Sequence, residues 1–388
     1  MGRQIYLDHA ATTYTDPRVI EAMLPFFSET WGNPSSVYSI ARGARRAVDR
    51  ARDTLAELLA CKPNEVIFTS CGSESDNLAI KGVAFARQSE GKHLITSKIE
   101  HHAVLHTCEW LEQYFGFEVT YLDVDRYGLV DLDQLGRALR PDTTLVSIMY
   151  ANNEIGTIQP LAEIARLLKG RGVVFHTDAV QAGGQLDMDV DKLGVDLLSL
   201  SGHKLYAPKG VGALYVRRGT PLLPQLQGGG QERGQRAGTE NVPYMVGFAR
   251  AAELAYGELA ARNERFCRLR DRLADGIMER VHGAQLTGHP TRRLANSASF
   301  VFERADGESI LLNLDQEGIF ASSGSACTAG SLEVSHVLKA LDLPSELAAG
   351  SLRLTTGLKT TDEEIDAVLA VLPGVIERVR GVAQVGVR

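Results

Sequence analysis

A lysine in an unusual setting gives the first indication of chemistry. Lys204 lies at the end of an apolar run, in "VDLLSLSGHKLYAPKGVGALYV", within a turn of small residues. An ammonium group is poorly solvated there, and desolvation lowers the pKa of a lysine and frees its amine as a nucleophile. A lysine that only contributes surface charge does not need this setting. The position therefore predicts that Lys204 forms a covalent bond with a ligand.

Other polar residues follow apolar runs in the same way. The run in "VIFTSCGSESDNLAI" ends at Gly72 and Ser73, where a helical pattern begins and offers free amides and a hydroxyl to a phosphate. Asp178 and Gln181 follow the run in "VVFHTDAVQ", and Asn153 follows the run in "LVSIMYANN". Taken singly, each of these residues is more often a helix cap or a turn former than a ligand.

One cofactor would explain these residues together. Pyridoxal 5'-phosphate needs a lysine for its covalent link, an acid that keeps its ring nitrogen protonated, donors near its phenolic oxygen and a seat for its phosphate. Its ring also needs a flat group on one face, and His101, after "HLITSKIE", could stack there and handle protons. A nucleotide site is the weaker interpretation, because neither GxGxxG nor a P-loop pattern occurs at any strand-to-helix junction.

These residues need a scaffold that brings the ends of several strands together. Short β-rich runs alternate with helical periods from "EVIFTS" to "VVFHTDAV", which is typical of a largely parallel sheet covered by helices on both faces. Such sheets bind ligands at the carboxyl ends of their strands. We therefore expect an α/β fold in which the polar residues meet at one edge of the sheet.

The last third of the chain has a different pattern. A long helical stretch near 245–281 interrupts the alternation, and a final helix begins at "TDEE", a capping-box pattern. Because 388 residues exceed what one hydrophobic core usually supports, we expect two domains. The predicted division is a large domain over 15–257 and a small α+β domain formed by 1–14 and 258–388.

The composition limits the class of protein. With 44% hydrophobic and 23% charged residues the chain is an ordinary globular one, and its net charge of −7 gives no indication of nucleic-acid binding. It has no run of about 18 apolar residues and no secretory pattern, so we expect a cytoplasmic protein without a membrane partner. The five cysteines have no metal-ligand spacing, which argues against a metal site or a disulfide framework.

The chain resembles the cysteine desulfurases, in the class V aminotransferase-like group of fold-type I pyridoxal phosphate enzymes. The matching segments extend over almost the whole length and include "YLDHAATT", "FTSCGSESDNLAIKG", "ANNEIGTIQP", "HTDAVQ", "SGHKLYAPKGVGALYV", "GGGQERGQRAGTENV" and "SSGSACTAGSLEVSHVLKAL". The resemblance implies a homodimer whose large domain has a mostly parallel seven-stranded sheet flanked by helices. It implies removal of sulfur from L-cysteine, giving L-alanine and a persulfide whose sulfur passes to a scaffold protein for iron–sulfur clusters.

The resemblance also implies roles for individual residues. Lys204 would carry the cofactor, Cys327 would accept the sulfur, and Arg353 would hold the substrate carboxylate, to which a bidentate guanidinium is suited. Asp178 would pair with the ring nitrogen and His101 would stack on the ring. The remaining contacts implied are those of the phosphate, from Gly72, Ser73, Ser201, His203 and the other subunit's Thr239, and those of the phenolic oxygen and substrate side, from Gln181 and Asn153.

The resemblance leaves several alternatives open. Ser73 stands where threonine is common, but both offer a hydroxyl, and the loop "ASSGSACTAGS" resembles that of the group serving general iron–sulfur or nitrogenase cluster assembly. An aminotransferase or a selenocysteine lyase shares the cofactor chemistry, and a cofactor-binding scaffold without turnover is the alternative outside enzymes. Small residues around Cys327 give its loop little bulk to anchor it, whereas the other four cysteines fit apolar patterns that need no chemistry.

Overall fold

Three β-sheets organise the structure, a computed structural model that describes residues 4–324 and 334–385. One sheet has seven strands, one has three and one has two. The strands are β1 (Ile5–Tyr6), β2 (Val66–Thr69), β3 (His93–Ser97), β4 (Glu118–Leu122), β5 (Thr143–Ser147), β6 (Val174–Asp178), β7 (Leu197–Ser201), β8 (Gly212–Val216), β9 (Ala284–Leu286), β10 (Ser297–Phe302), β11 (Ile319–Phe320) and β12 (Ser351–Thr355).

Helices follow most strands of the large sheet and dominate the rest of the chain. Among the described helices, none combines the length and apolar character needed to cross a bilayer. The helices are α1 (Pro17–Met23), α2 (Pro25–Ser28), α3 (Ser39–Leu58), α4 (Gly72–Arg87), α5 (His102–Phe115), α6 (Leu132–Ala138), α7 (Leu161–Leu168), α8 (Val190–Leu193), α9 (Val242–Gly257), α10 (Leu259–Arg280), α11 (Gly307–Gln316), α12 (His336–Ala340), α13 (Ser345–Ala348) and α14 (Asp362–Val385).

The seven-stranded sheet has the order β2-β8-β7-β6-β5-β3-β4, and β8 is the strand that runs antiparallel to both of its neighbours. Strands β3 to β7 pair in parallel. Leu145 and Val174 pack into an apolar cluster with α4 and α5 on one face, while Val146 and Phe175 join a second cluster on the other face. Alternate residues thus face opposite helix layers, as parallel strands buried on both faces require. The predicted mostly parallel seven-stranded sheet is confirmed.

Polar residues inside this sheet bond to one another across strands. The Ser147 hydroxyl lies 2.8 Å from Nδ1 of His176, and the Ser199 hydroxyl lies 3.0 Å from its Nε2. Burial lowers the pKa of His176 to about 3, so the imidazole is neutral at physiological pH. The chain of hydrogen bonds joins β5, β6 and β7 just before their carboxyl ends, and it therefore fixes the relative position of the residues that follow.

The carboxyl-terminal third builds a separate apolar core. This core contains side chains of β1, β10, β12, α10, α11 and α14, including Ile5, Phe300 and Leu369. The long helical stretch predicted near 245–281 is divided into α9 and α10 at Glu258. Since the two cores separate close to that point, we propose the division into a large domain over 15–257 and a small domain formed by 1–14 and 258–388.

The final helix begins as its sequence predicted. The Thr361 backbone N–H donates to the Glu364 carboxylate at 3.0 Å, and the Glu364 N–H donates to the Thr361 hydroxyl at 3.3 Å. This reciprocal pair satisfies two amides that have no partner within the helix. Ion pairs from Arg268 and Arg272 to Asp362 join the same end to α10.

Candidate active site

A cavity of about 330 Å³ lies where β5, β6 and β7 end, against the start of α4. This is the edge at which parallel sheets bind ligands. The exposed Thr239 does not line the cavity, and Cys327 lies outside the described residues. The predicted site residues that line it are Gly72, Ser73, His101, Asn153, Asp178, Gln181, Ser201, His203, Lys204 and Arg353.

Lys204 is positioned by the turn that ends β7. The strand runs into a 3₁₀ turn over Gly202–Lys204, and the Lys204 ammonium donates to the backbone carbonyls of Ala10 and Ala11, the latter at 2.8 Å. The Gln181 amide also donates to the Ala10 carbonyl, at 2.8 Å. The amino-terminal segment thus holds the Lys204 side chain at the cavity wall, next to the side chain of Gln181, which follows β6.

Asp178, the last residue of β6, partly fulfils the turn role expected of such a residue, because its Oδ1 accepts the Val180 N–H at 2.9 Å. It also lines the cavity, where ligand-type atoms of Asp76, His101 and Asp178 all lie within 4.8 Å of one another. Burial raises the pKa of both carboxyl groups, and the charge of Lys204 opposes the rise for Asp178. A cationic ring nitrogen in this position would stabilise the ionised form of Asp178.

His101 is fixed as a neutral ring at the start of α5. Its Nδ1 accepts the Ala103 N–H at 3.1 Å, so the remaining ring proton resides on Nε2. Burial, followed by the positive charge of Lys204, lowers the pKa of His101 to about 4. The residue therefore offers the cavity a flat, uncharged ring in one tautomer, as stacking on an aromatic ligand requires.

Three features at the other end of the cavity fit a phosphate. The amino terminus of α4 is not capped by the side chain of Cys71, the residue before it, although that cysteine lines the cavity. The Ser201 hydroxyl is buried and has no hydrogen-bond partner. A Cβ on Gly72 would lie 2.7 Å from Val180, so the backbone approaches closely at this point. Free amides, a helix dipole and an unpartnered hydroxyl form an anion site, and the residues fit the phosphate of the predicted cofactor.

The facing wall is built around Arg353 on β12. One guanidinium nitrogen, Nη1, donates to the Asn153 carbonyl at 2.8 Å, and Nη2 donates to the Asp8 carboxylate at 2.8 Å. The Nε group is buried and has no hydrogen-bond partner. The neighbouring Asn152 has the turn role expected of such residues, since its Oδ1 accepts the N–H of Glu154 at 2.8 Å. A buried, incompletely paired guanidinium fits the carboxylate of a substrate.

Glu154 joins this wall to the ends of the segment that contains Cys327. Its Oε2 accepts the Ser335 hydroxyl, and a Cβ on Gly324 would lie 2.6 Å from the same oxygen. Burial raises the pKa of Glu154 to about 7. The described residues on either side of 325–333 therefore both lie against this carboxyl group at the cavity.

Three acidic residues without a predicted role surround the cavity. Asp76 and Glu154 line it, and Asp8 binds Arg353 beside it. The sequence positions of two of them indicate that they lie near the site, because Asp76 lies one helical turn after Gly72 and Glu154 directly follows Asn153. Nothing in a local pattern, however, reveals that a carboxyl group faces an arginine far along the chain.

Comparison with known proteins agrees with the fold. Residues 5–368 match the family model for Aminotransferase class-V. The chain is 53% identical over 382 residues to a protein named Cysteine desulfurase IscS from Methanosarcina thermophila, with 98% of this chain and 94% of that protein covered. A solved structure named NifS-like protein superposes with a TM-score of 0.91 at 38% identity, covering 97% of this chain and 100% of that one.

A second solved structure is described as SspA in complex with cysteine. It superposes with a TM-score of 0.81 at 39% identity, and the match covers 91% of this chain and 98% of that one. These similarities extend across both apolar cores and the cavity between their elements, and they confirm the predicted family. The chain belongs to the cysteine desulfurases of the class-V aminotransferase family.

Proposed function

We propose that this protein uses pyridoxal 5'-phosphate to remove sulfur from L-cysteine, giving L-alanine and a persulfide on Cys327. The observation that carries the proposal is that five features line one cavity. They are Lys204, the buried acid Asp178, the neutral imidazole of His101, the anion site at the start of α4, and Arg353 on the facing wall. The relative named Cysteine desulfurase IscS and the structure of SspA in complex with cysteine support the same substrate.

The residues that line the cavity could hold the cofactor. Lys204 would form the covalent link, Asp178 would keep a proton at the ring nitrogen, and His101 would stack on the ring. The phosphate would be held at the start of α4 by Gly72 and Ser73. When bound, the cofactor supplies an electron sink that stabilises negative charge at the substrate α-carbon. The remaining phosphate and oxygen contacts are assigned to Ser201, His203, Gln181 and Asn153.

The substrate is bound by its carboxylate and its amine. Arg353 binds the carboxylate through the N–H groups that Asp8 and Asn153 do not use. The substrate amine would take the place of Lys204, and the released Lys204 amine, which lines the same cavity, would be available to move a proton at the α-carbon. Excluding water from the buried wall strengthens both contacts, because charges interact more strongly in a low-dielectric cavity.

Sulfur transfer requires a thiolate. Cys327 forms a bond to the substrate sulfur as the carbon–sulfur bond breaks, the bonding electrons stay on carbon, and a proton then completes L-alanine. No external oxidant or reductant is consumed. An ordinary thiol, with a pKa of about 8.5, is only a few per cent ionised at neutral pH, so the reaction needs a proton acceptor near the cavity. The persulfide sulfur is then passed to a scaffold protein for iron–sulfur cluster assembly.

We also propose that the protein works as a homodimer with shared sites. Thr239 is exposed and does not line the cavity of its own chain, which supports a contact with the phosphate of a second subunit. Large apolar side chains on α2 and in the loop after it are exposed as well, including Phe27 at 55% and Trp31 at 65%. Exposed patches of this kind mark protein interfaces.

Mixed dimers test the shared sites. Mixing Lys204→Ala and Thr239→Ala chains gives heterodimers in which one site keeps both residues and the other site loses both. If Thr239 acts across the interface, titration of active sites in the mixture will exceed the value for either variant alone. A mixture that gives only the average of the two variants contradicts sharing.

Replacing Cys327 tests the sulfur-transfer step. A Cys327→Ala protein mixed rapidly with L-cysteine should form the cofactor–substrate adduct, visible by absorbance, without gaining a sulfur mass or releasing alanine. Cys71→Ala is the matched control, because Cys71 lines the same cavity and should be dispensable. Persulfide formation on another cysteine of Cys327→Ala at the parental rate would show that the assigned thiol is wrong.

A further inference from the structure

The arginine assigned to the substrate is already bound to an acid. Arg353 and Asp8 form an ion pair at 2.8 Å, with side chains 6% and 17% exposed. We infer that Asp8 is the positioning residue of Arg353 and thereby sets the affinity of the cavity for the substrate carboxylate. This inference rests on the proposed function, in which Arg353 binds that carboxylate.

The pair joins distant parts of the chain at one guanidinium. Asp8 lies two residues after β1, Arg353 lies on β12, and the Asn153 carbonyl that accepts from the same guanidinium follows β5. A long, flexible arginine side chain has many rotamers, and each hydrogen bond to a fixed partner removes some of them. Two partners on opposite segments therefore fix the plane of the guanidinium before any substrate arrives.

Asp8 is itself held rigidly enough to act as such a partner. Its backbone carbonyl accepts the Ala11 N–H at 3.0 Å and the Tyr6 hydroxyl at 3.0 Å. Asp8 also forms a β-bridge with Thr355, two residues beyond Arg353 on the same strand. The carboxylate and the arginine are thus attached to adjacent backbones, which keeps their separation constant.

The chemistry of the guanidinium explains why an acid can share it with a substrate. A guanidinium has five N–H groups, of which Asp8 and Asn153 accept one each. Nε is buried and has no partner. A buried cation without any counter-charge is costly, and Asp8 compensates it while other N–H groups stay available to an anion. Asp8 thus orients the arginine and neutralises part of its charge without saturating it.

The test separates orientation from charge with two variants of the cofactor-loaded protein. Asp8→Ala should raise KM for L-cysteine about tenfold, equivalent to about 1.4 kcal/mol, and leave kcat within about twofold. Asp8→Asn keeps an oxygen that accepts from Nη2, and its KM should stay within about threefold of the parent. A KM unchanged in Asp8→Ala, or equally raised in both variants, overturns the inference.

A binding measurement provides a readout independent of turnover. Titration with L-alanine, which has the carboxylate, should show the tenfold loss of affinity in Asp8→Ala, whereas cysteamine, which lacks it, should bind as to the parent. An equal loss for cysteamine would mean a general disturbance of the cavity and would contradict the inference. Glu317→Ala is the matched control, because it removes an exposed carboxylate that pairs with Arg378 at 3.0 Å, away from the cavity.

The arginine itself distinguishes failure of the inference from failure of the proposed function. Arg353→Ala should lose affinity for L-alanine but not for cysteamine, and adding Asp8→Ala to it should have no further effect, since the two residues act as one unit. If Arg353→Ala binds both ligands normally, the proposed carboxylate site is wrong. If Arg353→Ala loses affinity and Asp8→Ala does not, only the positioning role of Asp8 is wrong.

Discussion

The two walls of the cavity are built in different ways. On the sheet wall, each polar side chain follows the end of a strand or begins a helix. Asp178 and His101 bond locally, to Val180 and Ala103, while Lys204 and Gln181 also donate to the amino-terminal segment at Ala10. On the facing wall, Arg353 bonds to residues 200 and 345 positions away. The sheet wall is thus placed mainly by the ends of the strands, whereas the facing wall forms only when distant segments come together.

The largest effect is expected on the sheet wall, at Lys204. Lys204→Ala removes the amine that forms the covalent link, and turnover of L-cysteine should fall at least about 10³-fold because nucleophilic residues are not replaced by their neighbours. The absorbance of the lysine-bound cofactor should disappear as well. A borohydride-reducible cofactor adduct on another lysine of this variant would refute the assignment.

A smaller loss is expected at Asp178. Asp178→Asn keeps the shape of the side chain and the acceptor for Val180, but it removes the negative charge that holds a proton on the ring nitrogen. Cofactor binding should remain while turnover falls roughly 10²-fold. Single-turnover absorbance measurements with L-cysteine separate the two effects, and parental rates would contradict the assigned role.

Replacing each of two serines on β7 distinguishes a contact with the ligand from a contact that stabilises the fold. Ser201 has a buried hydroxyl without a partner, so Ser201→Ala should weaken cofactor binding about tenfold and leave the apoprotein at least as stable as the parent. Ser199→Ala removes the hydroxyl partner of His176 Nε2 and should instead lower the free energy of unfolding by about 1–3 kcal/mol. Cofactor titration and chemical denaturation of both variants measure this difference. The reverse pattern would show that Ser201 does not contact the phosphate.

The effect furthest from catalysis concerns a buried acid behind the cavity. Glu100 accepts the Ser97 hydroxyl and the Met149 N–H, but its Oε2 has no partner, and burial raises its pKa to about 8. The pKa of Glu100 in the folded protein exceeds its unfolded value of about 4.3, so the folded state favours the protonated carboxyl group. The stability that this group contributes is therefore fully present below about pH 4.3 and is lost as the pH rises toward 8.

Because of Glu100, the free energy of unfolding of the parent should fall by up to about 1.4 kcal/mol per pH unit between about pH 5 and 8. Glu100→Gln should therefore abolish this fall. Denaturation of both proteins across this range, under one buffer series, measures the slopes. Glu317→Gln, at an exposed position, is the control and should follow the parent. Identical slopes for Glu100→Gln and the parent would show that Glu100 is ionised in the folded protein.

The contrast between the walls explains what the sequence could predict. Lys204, Asp178 and Asn153 follow apolar runs whose period shows where a strand ends, so their convergence at one edge follows from the parallel sheet. The pairing of Asp8 with Arg353 depends on how two small sheets pack, and no periodicity encodes it. Arg353 was identified only through resemblance to a family, and the acid that holds it was not identified at all.

The most direct test of the central claim is simultaneous measurement of sulfide and alanine from L-cysteine, using the cofactor-loaded protein with dithiothreitol and no keto acid. The proposed function predicts that the two products appear in equal amounts and at equal rates, and that both are lost in Cys327→Ala. Sulfide accompanied by pyruvate instead of alanine, or alanine that forms only when a keto acid is added, would contradict it.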